Sequence, residues 1–294
     1  MQTKNQKEFT ILLVGETGVG KTTVLSLFAN ILAGRNPDKY IDVHKTDNEA
    51  GGSQKNSQTQ TAQVYEFRSQ NDIIVRILDT PGLADTRGLA QDKLHKQSIA
   101  RAIHRHITTV NAVLILANGT VPRLGVATEY ALTTLSAIFP HTLANNIGIV
   151  FTNVSDPLNC NFEESSLPDG LRHARQYLLD NPVAMQKKFL EKKARGTIPK
   201  AVQQMQRRVQ DSEEMALDTL AELFSWLNDL VPQPTKDIIS LFDKAQNIEK
   251  NIDSALACMK QAADKDLELQ KIAASLNKAK VVSKYHVQYV FPLR

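Results

Sequence analysis

Ten residues near the amino terminus, VGETGVGKTT (Val14–Thr23), constrain this chain more than any other stretch. Gly15, Gly20, Lys21 and Thr22 stand at the spacing G-x-x-x-x-G-K-[ST]. Glycines without side chains let backbone N–H groups close on phosphate oxygens, and a helix that begins where the loop ends adds the positive end of its dipole. Such a loop needs a strand before it and a helix after it. Phe9–Val14 (FTILLV) is a continuous apolar run suited to a strand buried on both faces of a parallel sheet. Val24, Leu25, Leu27, Phe28, Ile31 and Leu32 then recur with helical spacing up to Gly34, a helix stop. This order favours a phosphate cradle over a plain glycine turn. In that cradle Gly15, Glu16, Thr17, Gly18, Val19, Gly20, Lys21, Thr22 and Thr23 surround the phosphates. Lys21 neutralises the β- and γ-phosphate oxygens, and the Thr22 hydroxyl ligates Mg²⁺.

A second apolar run, Ile73–Leu78, ends in Asp79-Thr80-Pro81-Gly82. An aspartate at the carboxyl end of a strand beside the loop is suited to hold Mg²⁺, and the Gly82 N–H is suited to bond the γ-phosphate. Alone, D-x-x-G is more often a turn; downstream of a phosphate loop it points to a nucleotide triphosphate. Two further strands, NAVLILAN from Asn111 and NIGIVFTN from Asn146, alternate with helical patterns. The expected fold is therefore α/β: a three-layer P-loop NTPase with a mostly parallel central sheet. After the last of these strands, Asn153 and Asp156 match the N-K-x-D pattern of guanine-specific GTPases, in which the carboxylate accepts two hydrogen bonds from the base. Val154 stands where that pattern has lysine. A strand followed by an Asx turn is the competing reading, and the missing lysine leaves an ATPase as a third, weaker alternative.

Composition limits the partners. The 294 residues carry 35 basic and 31 acidic side chains, a net charge of +4, which gives no support to a nucleic-acid partner. Cys160 and Cys258 belong to no C-x-x-C pair, so neither a disulfide framework nor a zinc site is expected. The polar start MQTKNQKEF lacks the apolar core of a signal peptide, and runs such as AVLILA are too short to cross a bilayer. The expected location is cytoplasmic, with peripheral membrane contact as an option. His104 and His106, two apart on an expected helix, point to different faces and read as a solvated basic surface rather than metal ligands.

Over residues 8–185 the chain resembles the septin-like branch of P-loop GTPases. The resemblance is to the immunity-associated and avirulence-induced (AIG1-type) GTPases in particular, with the chloroplast-import Toc GTPases as cousins. Its marks are DTPGLADTRG, the segment from Asn111 to Arg123, and the strand ending FTN. The resemblance implies GTP and GDP as ligands with Mg²⁺, pairing of copies through the nucleotide face, and membrane attachment. It also implies a switch threonine, for which Ser57-Gln58-Thr59 is similar to the family's S-x-T, so Thr59 is the candidate for Mg²⁺ and γ-phosphate sensing and Thr61 the runner-up. The polar loop from Arg35 to Thr59 is expected to be mobile rather than packed. QYLLDNP reads as a short strand that leads to Asn181, the candidate base clamp, or as a helix end stopped by proline.

In Ras-like enzymes a glutamine directly after D-x-x-G orients the attacking water; here that position is Leu83, so hydrolysis is expected to be slow. Arg123 in NGTVPRLG stands where the immunity-associated proteins carry a G-R-[YF]-T arginine. It is the candidate for a charge supplied to a partner copy, with Arg87 the weaker competitor. The catalytic set is then Lys21, Thr59, Gly82 and Arg123, and the metal set Thr22, Thr59 and Asp79.

Residues 186–294 read as a helical extension. Between Lys187 and Arg208 lie eight basic residues and one acid, either a solvated helix surface or a seat on anionic lipid. Leu217, Leu220, Phe224, Leu227 and Leu230 form an apolar stripe around Trp226, more often core than groove. From Ile248 to Leu276 apolar residues recur near helical spacing, and the final VVSKYHVQYVF alternates as a strand does. The expected function is a GTP-binding switch that hydrolyses GTP slowly and controls self-association, with a GTP-stabilised scaffold of little or no turnover as the alternative.

Overall fold

The computed structural model describes residues 6–43, 61–69, 71–82, 89–124, 129, 141–196 and 198–289. In chain order these form β1 (Glu8–Gly15), α1 (Lys21–Leu32), β2 (Gln63–Arg68), β3 (Ile74–Asp79), α2 (Leu89–His106), β4 (Thr109–Val110), β5 (Ala112–Asn118), β6 (Ile147–Thr152) and β7 (Arg175–Leu179). They continue with α3 (Pro182–Ala194), α4 (Pro199–Asp229), β8 (Gln233–Pro234) and α5 (Thr235–Tyr289), with short 3₁₀ turns between.

Six strands make one sheet in the order β2-β3-β1-β5-β6-β7, parallel throughout except for β2, which runs antiparallel on the β3 edge. This is the expected P-loop GTPase architecture. The apolar runs are continuous because both sheet faces are covered, and the period of two divides each run between two cores. From β1, Leu12 and Val14 join the cluster that includes Ile99 and Ile103 of α2. Phe9, Ile11 and Leu13 face the other way, onto Val24, Leu25 and Phe28 of α1. In β5, Val113, Ile115 and Ala117 divide from Ala112, Leu114 and Leu116 in the same manner. Burying each large side chain contributes about 1.5–3 kcal/mol relative to exposure.

The expected boundary after residue 185 falls inside one compact unit that runs to Phe242; Asp243–Arg294 forms a second. Helix α4 belongs to the first. Its Ala216, Leu220, Leu223 and Leu227, spaced four, three and four apart, enter the same core as α1. Trp226 settles over Gly148 of β6: a Cβ there would lie 3.1 Å from the indole, so the glycine leaves room for the ring. Polar groups fix the far end of this packing. Asn146 donates to the carbonyls of Asn111 (2.6 Å) and Val231 (3.0 Å), and Gln6 donates to Leu230 O at 2.9 Å.

Two expectations are corrected. Residues 281–289, whose alternation suggests a strand, continue helix α5; a short alternating stretch satisfies either period, and the preceding helix decides. The first part of the long polar loop is packed: buried Asn30 accepts from Ile41 N (3.0 Å) and donates to Ile41 O (2.8 Å), while Ser26 Oγ accepts from Val43 N at 3.2 Å. The rest of that loop, with Thr59, lies outside the described residues, as do Leu83 and Arg87.

Candidate functional site: the loop between β1 and α1

The site collects at the carboxyl ends of β1, β3, β5, β6 and β7. Gly15 closes β1 against β5 so tightly that a Cβ would strike the carbonyl oxygen of Leu116. Gly18 (φ 84°) and Gly20 (φ 95°) take backbone angles that side chains disfavour. Gly20 is the cap residue of α1; no side chain caps this helix start and no acidic residue stands in its first turn. A helix start without a side-chain cap or an acidic first turn suits an anion.

Lys21 is 6% exposed, and its Nζ donates to the carbonyls of Gly15 (3.0 Å) and Glu16 (2.9 Å). Burial lowers its pKa to about 8, against the opposing pull of Asp79 and Glu16. Burial likewise raises the Glu16 carboxyl, with Lys21 opposing. The lysine is thus a poorly hydrated cation at the loop's mouth, where a phosphate oxygen gives it a charged partner. Asp79, 2% exposed, ends β3 in register with Leu13 of β1 and accepts a 3.1 Å hydrogen bond from Thr22 Oγ1. Thr80 Oγ1 donates to Leu13 O at 2.6 Å and ties the segment after β3 to β1. Gly82 then lies against Thr17: a Cβ on Gly82 would be 2.7 Å from the Thr17 backbone.

These residues fit a magnesium triphosphate. One hydroxyl and one carboxylate, adjacent and aimed at the same place, match a cation that keeps several waters and takes few protein ligands. The buried Thr17 Oγ1 has no hydrogen-bond partner among the described residues, so the loop carries an unsatisfied hydroxyl beside the proposed phosphate position. His104 and His106 are both exposed on α2.

The candidate base-binding residues lie where β5, β6 and β7 end. Asn153 adopts a left-handed φ of 64° and donates from Nδ2 to Asn118 Oδ1 at 3.2 Å, while Gly119 N donates to Thr152 O at 3.0 Å. Val154 is 2% exposed and packs into the core beneath Gly119, so it covers no base. Asp156 caps a 3₁₀ turn: Oδ1 accepts from Leu158 N at 2.7 Å. The turn reading of this motif is thus observed, and it uses one carboxylate oxygen of Asp156. Asn181 follows strand β7 and caps α3, accepting from Val183 N at 3.0 Å with Pro182 at the first helical position. Its Nδ2 is buried with no partner among the described residues. The strand reading of QYLLDNP holds, and the alternative of a helix end stopped by proline is corrected: Pro182 begins α3, its fixed φ suiting a first helical position.

Arg123 is exposed, without hydrogen bond or ion pair to any described residue. It belongs to the loop after β5, which Asn161 N and Glu163 N fasten by donating to Gly119 O (2.8 Å) and Pro122 O (2.9 Å). Asn118 and Gly119 are site residues that motif reading missed; the signal was a polar residue and a glycine directly after a buried strand.

Among curated proteins compared by sequence, none matches the chain. Solved structures that resemble it include those reported under "Dimerization is important for the GTPase activity of chloroplast translocon components atToc33 and psToc159" (14% identity, 60% of this chain and 72% of that one, TM-score 0.44). Toc33 from Arabidopsis thaliana in complex with GDP and Mg²⁺ is similar at 16% identity, over 60% of this chain and 72% of that one, with TM-score 0.43. The FeoB G-domain from Methanococcus jannaschii matches at 16% identity, over 64% and 96%, with TM-score 0.33. The model of the AIG1 family matches residues 9–187, which span β1 to α3 and every site element described above. The chain belongs to the AIG1 family and is an AIG1-type P-loop GTPase.

Proposed function

We propose that the chain binds GTP with Mg²⁺, hydrolyses it slowly to GDP, and uses the two states to control pairing of copies through the nucleotide face. The observation that carries this reading is the meeting of Lys21, Thr22 and Asp79 at the tip of β1. The glycine loop binds and orients the phosphates, Lys21 donates to them, and Thr22 with Asp79 holds the cation; the cation, when bound, offsets charge on the β- and γ-oxygens. Gly82 N–H senses the γ-phosphate, and Thr59 joins the cation from the switch segment. Asn153, Asp156 and Asn181 hold the guanine.

Leu83 has no polar atom with which to orient water, so a single copy turns over slowly. Arg123, exposed on the loop beside the base site, is the charge offered to a partner copy, and an arginine so supplied is worth on the order of a thousandfold or more in rate. The test follows GTP hydrolysis per molecule over a range of protein concentrations. The rate rises with concentration, and Arg123→Ala flattens the rise; concentration-independent turnover in the parent chain refutes the mechanism. A second reading, a GTP-stabilised scaffold with little turnover, draws on Leu83 and is selected by tight GTP binding without phosphate release. In this proposal residues 8–185 are the G domain and 186–294 its helical extension. No helix among the described residues is long and apolar enough to cross a membrane. The exposed cations of Lys187–Arg208 are the surface for an anionic bilayer, tested by vesicle co-sedimentation.

A further inference from the structure

Thr17 stands at the tip of the loop between β1 and α1. The turn that carries it is closed by Val19 N, which donates to Glu16 O at 3.5 Å, with Gly18 in the left-handed region at φ 84°. A threonine in such a turn ordinarily returns its hydroxyl to a neighbouring backbone group. This one does not: Thr17 Oγ1 is buried and has no hydrogen-bond partner among the described residues. A hydroxyl carries one donor and two acceptor lone pairs, and leaving them unpaired in a buried place costs stability, which calls for a reason.

Its surroundings supply one. Thr17 Oγ1 lies against the backbone that follows β3, for a Cβ built on Gly82 would strike it. Two segments therefore meet at this hydroxyl, the glycine loop after β1 and the D-x-x-G segment after β3. In the function proposed above, Lys21 takes the β- and γ-phosphates and Gly82 N–H takes the γ-phosphate, so Thr17 belongs to the γ end of the triphosphate. Attack on a phosphoryl group runs in line with the bond that breaks, and the attacking water arrives at that end. A polar group must hold it there. Leu83, directly after Gly82, has no polar side-chain atom.

We propose that Thr17 Oγ1 positions the water that attacks the γ-phosphate, the task for which Leu83 is unfit. This role presupposes the GTP reading and gives hydrolysis a residue within a single copy. The hydroxyl accepts a hydrogen bond from the water and donates its own proton toward a γ-phosphate oxygen. As the water oxygen bonds to the γ-phosphorus, the bond from that phosphorus to the β–γ bridging oxygen breaks, and its electron pair leaves with GDP. One water proton stays on the new phosphate oxygen. The other passes to Thr17, whose own proton goes to the γ-oxygen, so the threonine ends as it began. A neutral hydroxyl is a weak base, which keeps turnover by one copy slow.

The test compares the full chain with Thr17→Val, which keeps the branched shape and removes the hydroxyl, and with Thr17→Ser, which keeps the hydroxyl. Affinity for GDP with Mg²⁺ is read by isothermal titration, phosphate release by single turnover of fully bound GTP, and Tm without nucleotide by thermal unfolding. Thr17→Val binds GDP within about threefold of the parent yet releases phosphate at least tenfold more slowly, the signature of an interaction made in the transition state. Thr17→Ser recovers most of that rate. The Tm of Thr17→Val equals or exceeds the parent's, because the unpaired hydroxyl is gone. Release at the parent's rate by Thr17→Val, an equal loss in Thr17→Ser, or a GDP affinity that falls together with the rate overturns the proposal. So does a lower Tm for Thr17→Val, which shows the hydroxyl to be paired without nucleotide. A parent chain that binds GDP and GTP but releases no phosphate overturns it and leaves the binding reading standing; a parent chain that binds neither removes both.

Discussion

Thr22 and Asp79 stand 57 residues apart in sequence, yet Thr22 Oγ1 donates to Asp79 Oδ2 across 3.1 Å. The contact exists because β1 and β3 are parallel neighbours, with Leu13 and Asp79 in register, and because α1 starts where β1's loop ends. In the proposed function both groups hold one cation. Thr22→Ala and Asp79→Ala should each weaken Mg²⁺-dependent GTP binding at least tenfold, and excess EDTA should reduce parent-chain affinity to the level of the variants. Isothermal titration with and without Mg²⁺ measures this; variants that keep the full metal response would remove the pair from the cation site.

Gly82 and Thr17 give a sharper prediction. A Cβ at Gly82 would sit 2.7 Å from the Thr17 backbone, a contact that backbone cannot yield without moving the phosphate loop. Gly82→Ala should therefore lower affinity for GTP and GDP alike while leaving the sheet intact, so that Tm without nucleotide changes little and the stabilisation by added nucleotide shrinks. A variant with parent-like nucleotide stabilisation would show that the loop relaxes freely.

The sequence made the nucleotide side readable because its demands are local: glycines, a lysine and a threonine at fixed spacing, and apolar runs covered on both faces. Strand β2 escaped reading for the opposite reason. Edge strand Gln63–Arg68 has only Tyr65 fully buried, so no continuous apolar run marks it, and a long polar lead-in obscures its start. The docking of α4 depends on Trp226 finding space above Gly148, a complementarity between residues distant in sequence that no periodicity encodes. Asn181 was ambiguous because its two roles, strand exit and helix cap, use the same residue type.

Asp180 provides a test by pH. Its carboxyl is raised above the ordinary value by burial, which outweighs the opposing attraction of Lys188 and Arg208. A carboxyl whose folded pKa lies above its unfolded pKa binds its proton more tightly when folded. The group therefore favours folding below its unfolded pKa, and that contribution is lost as pH rises through the folded value. Asp180→Asn should flatten this decline and raise stability at neutral pH relative to the parent. The Ser212 hydrogen bond is to the Asp180 backbone carbonyl and survives the change. Chemical denaturation from pH 4 to 7 reads the difference; an equal fall in both proteins would contradict the assignment.

Asp156 separates base recognition from local structure. Its Oδ1 accepts from Leu158 N at 2.7 Å and shapes the turn after β6, while a guanine contact requires a carboxylate that accepts two donors. Asparagine keeps a carbonyl oxygen for the turn but replaces the second acceptor with an N–H₂ donor. Asp156→Asn should thus leave Tm unchanged and weaken GTP binding at least tenfold, because a donor would face the donors of the guanine edge and leave them unpaired. ATP, which lacks that pair of donors, should be affected far less. Competition of GTP and ATP against a fluorescent nucleotide in parent and variant measures the shift. If the variant loses stability but keeps its preference for GTP, Asp156 serves the turn alone, and the base must be chosen by groups elsewhere, beginning with the buried amide of Asn181.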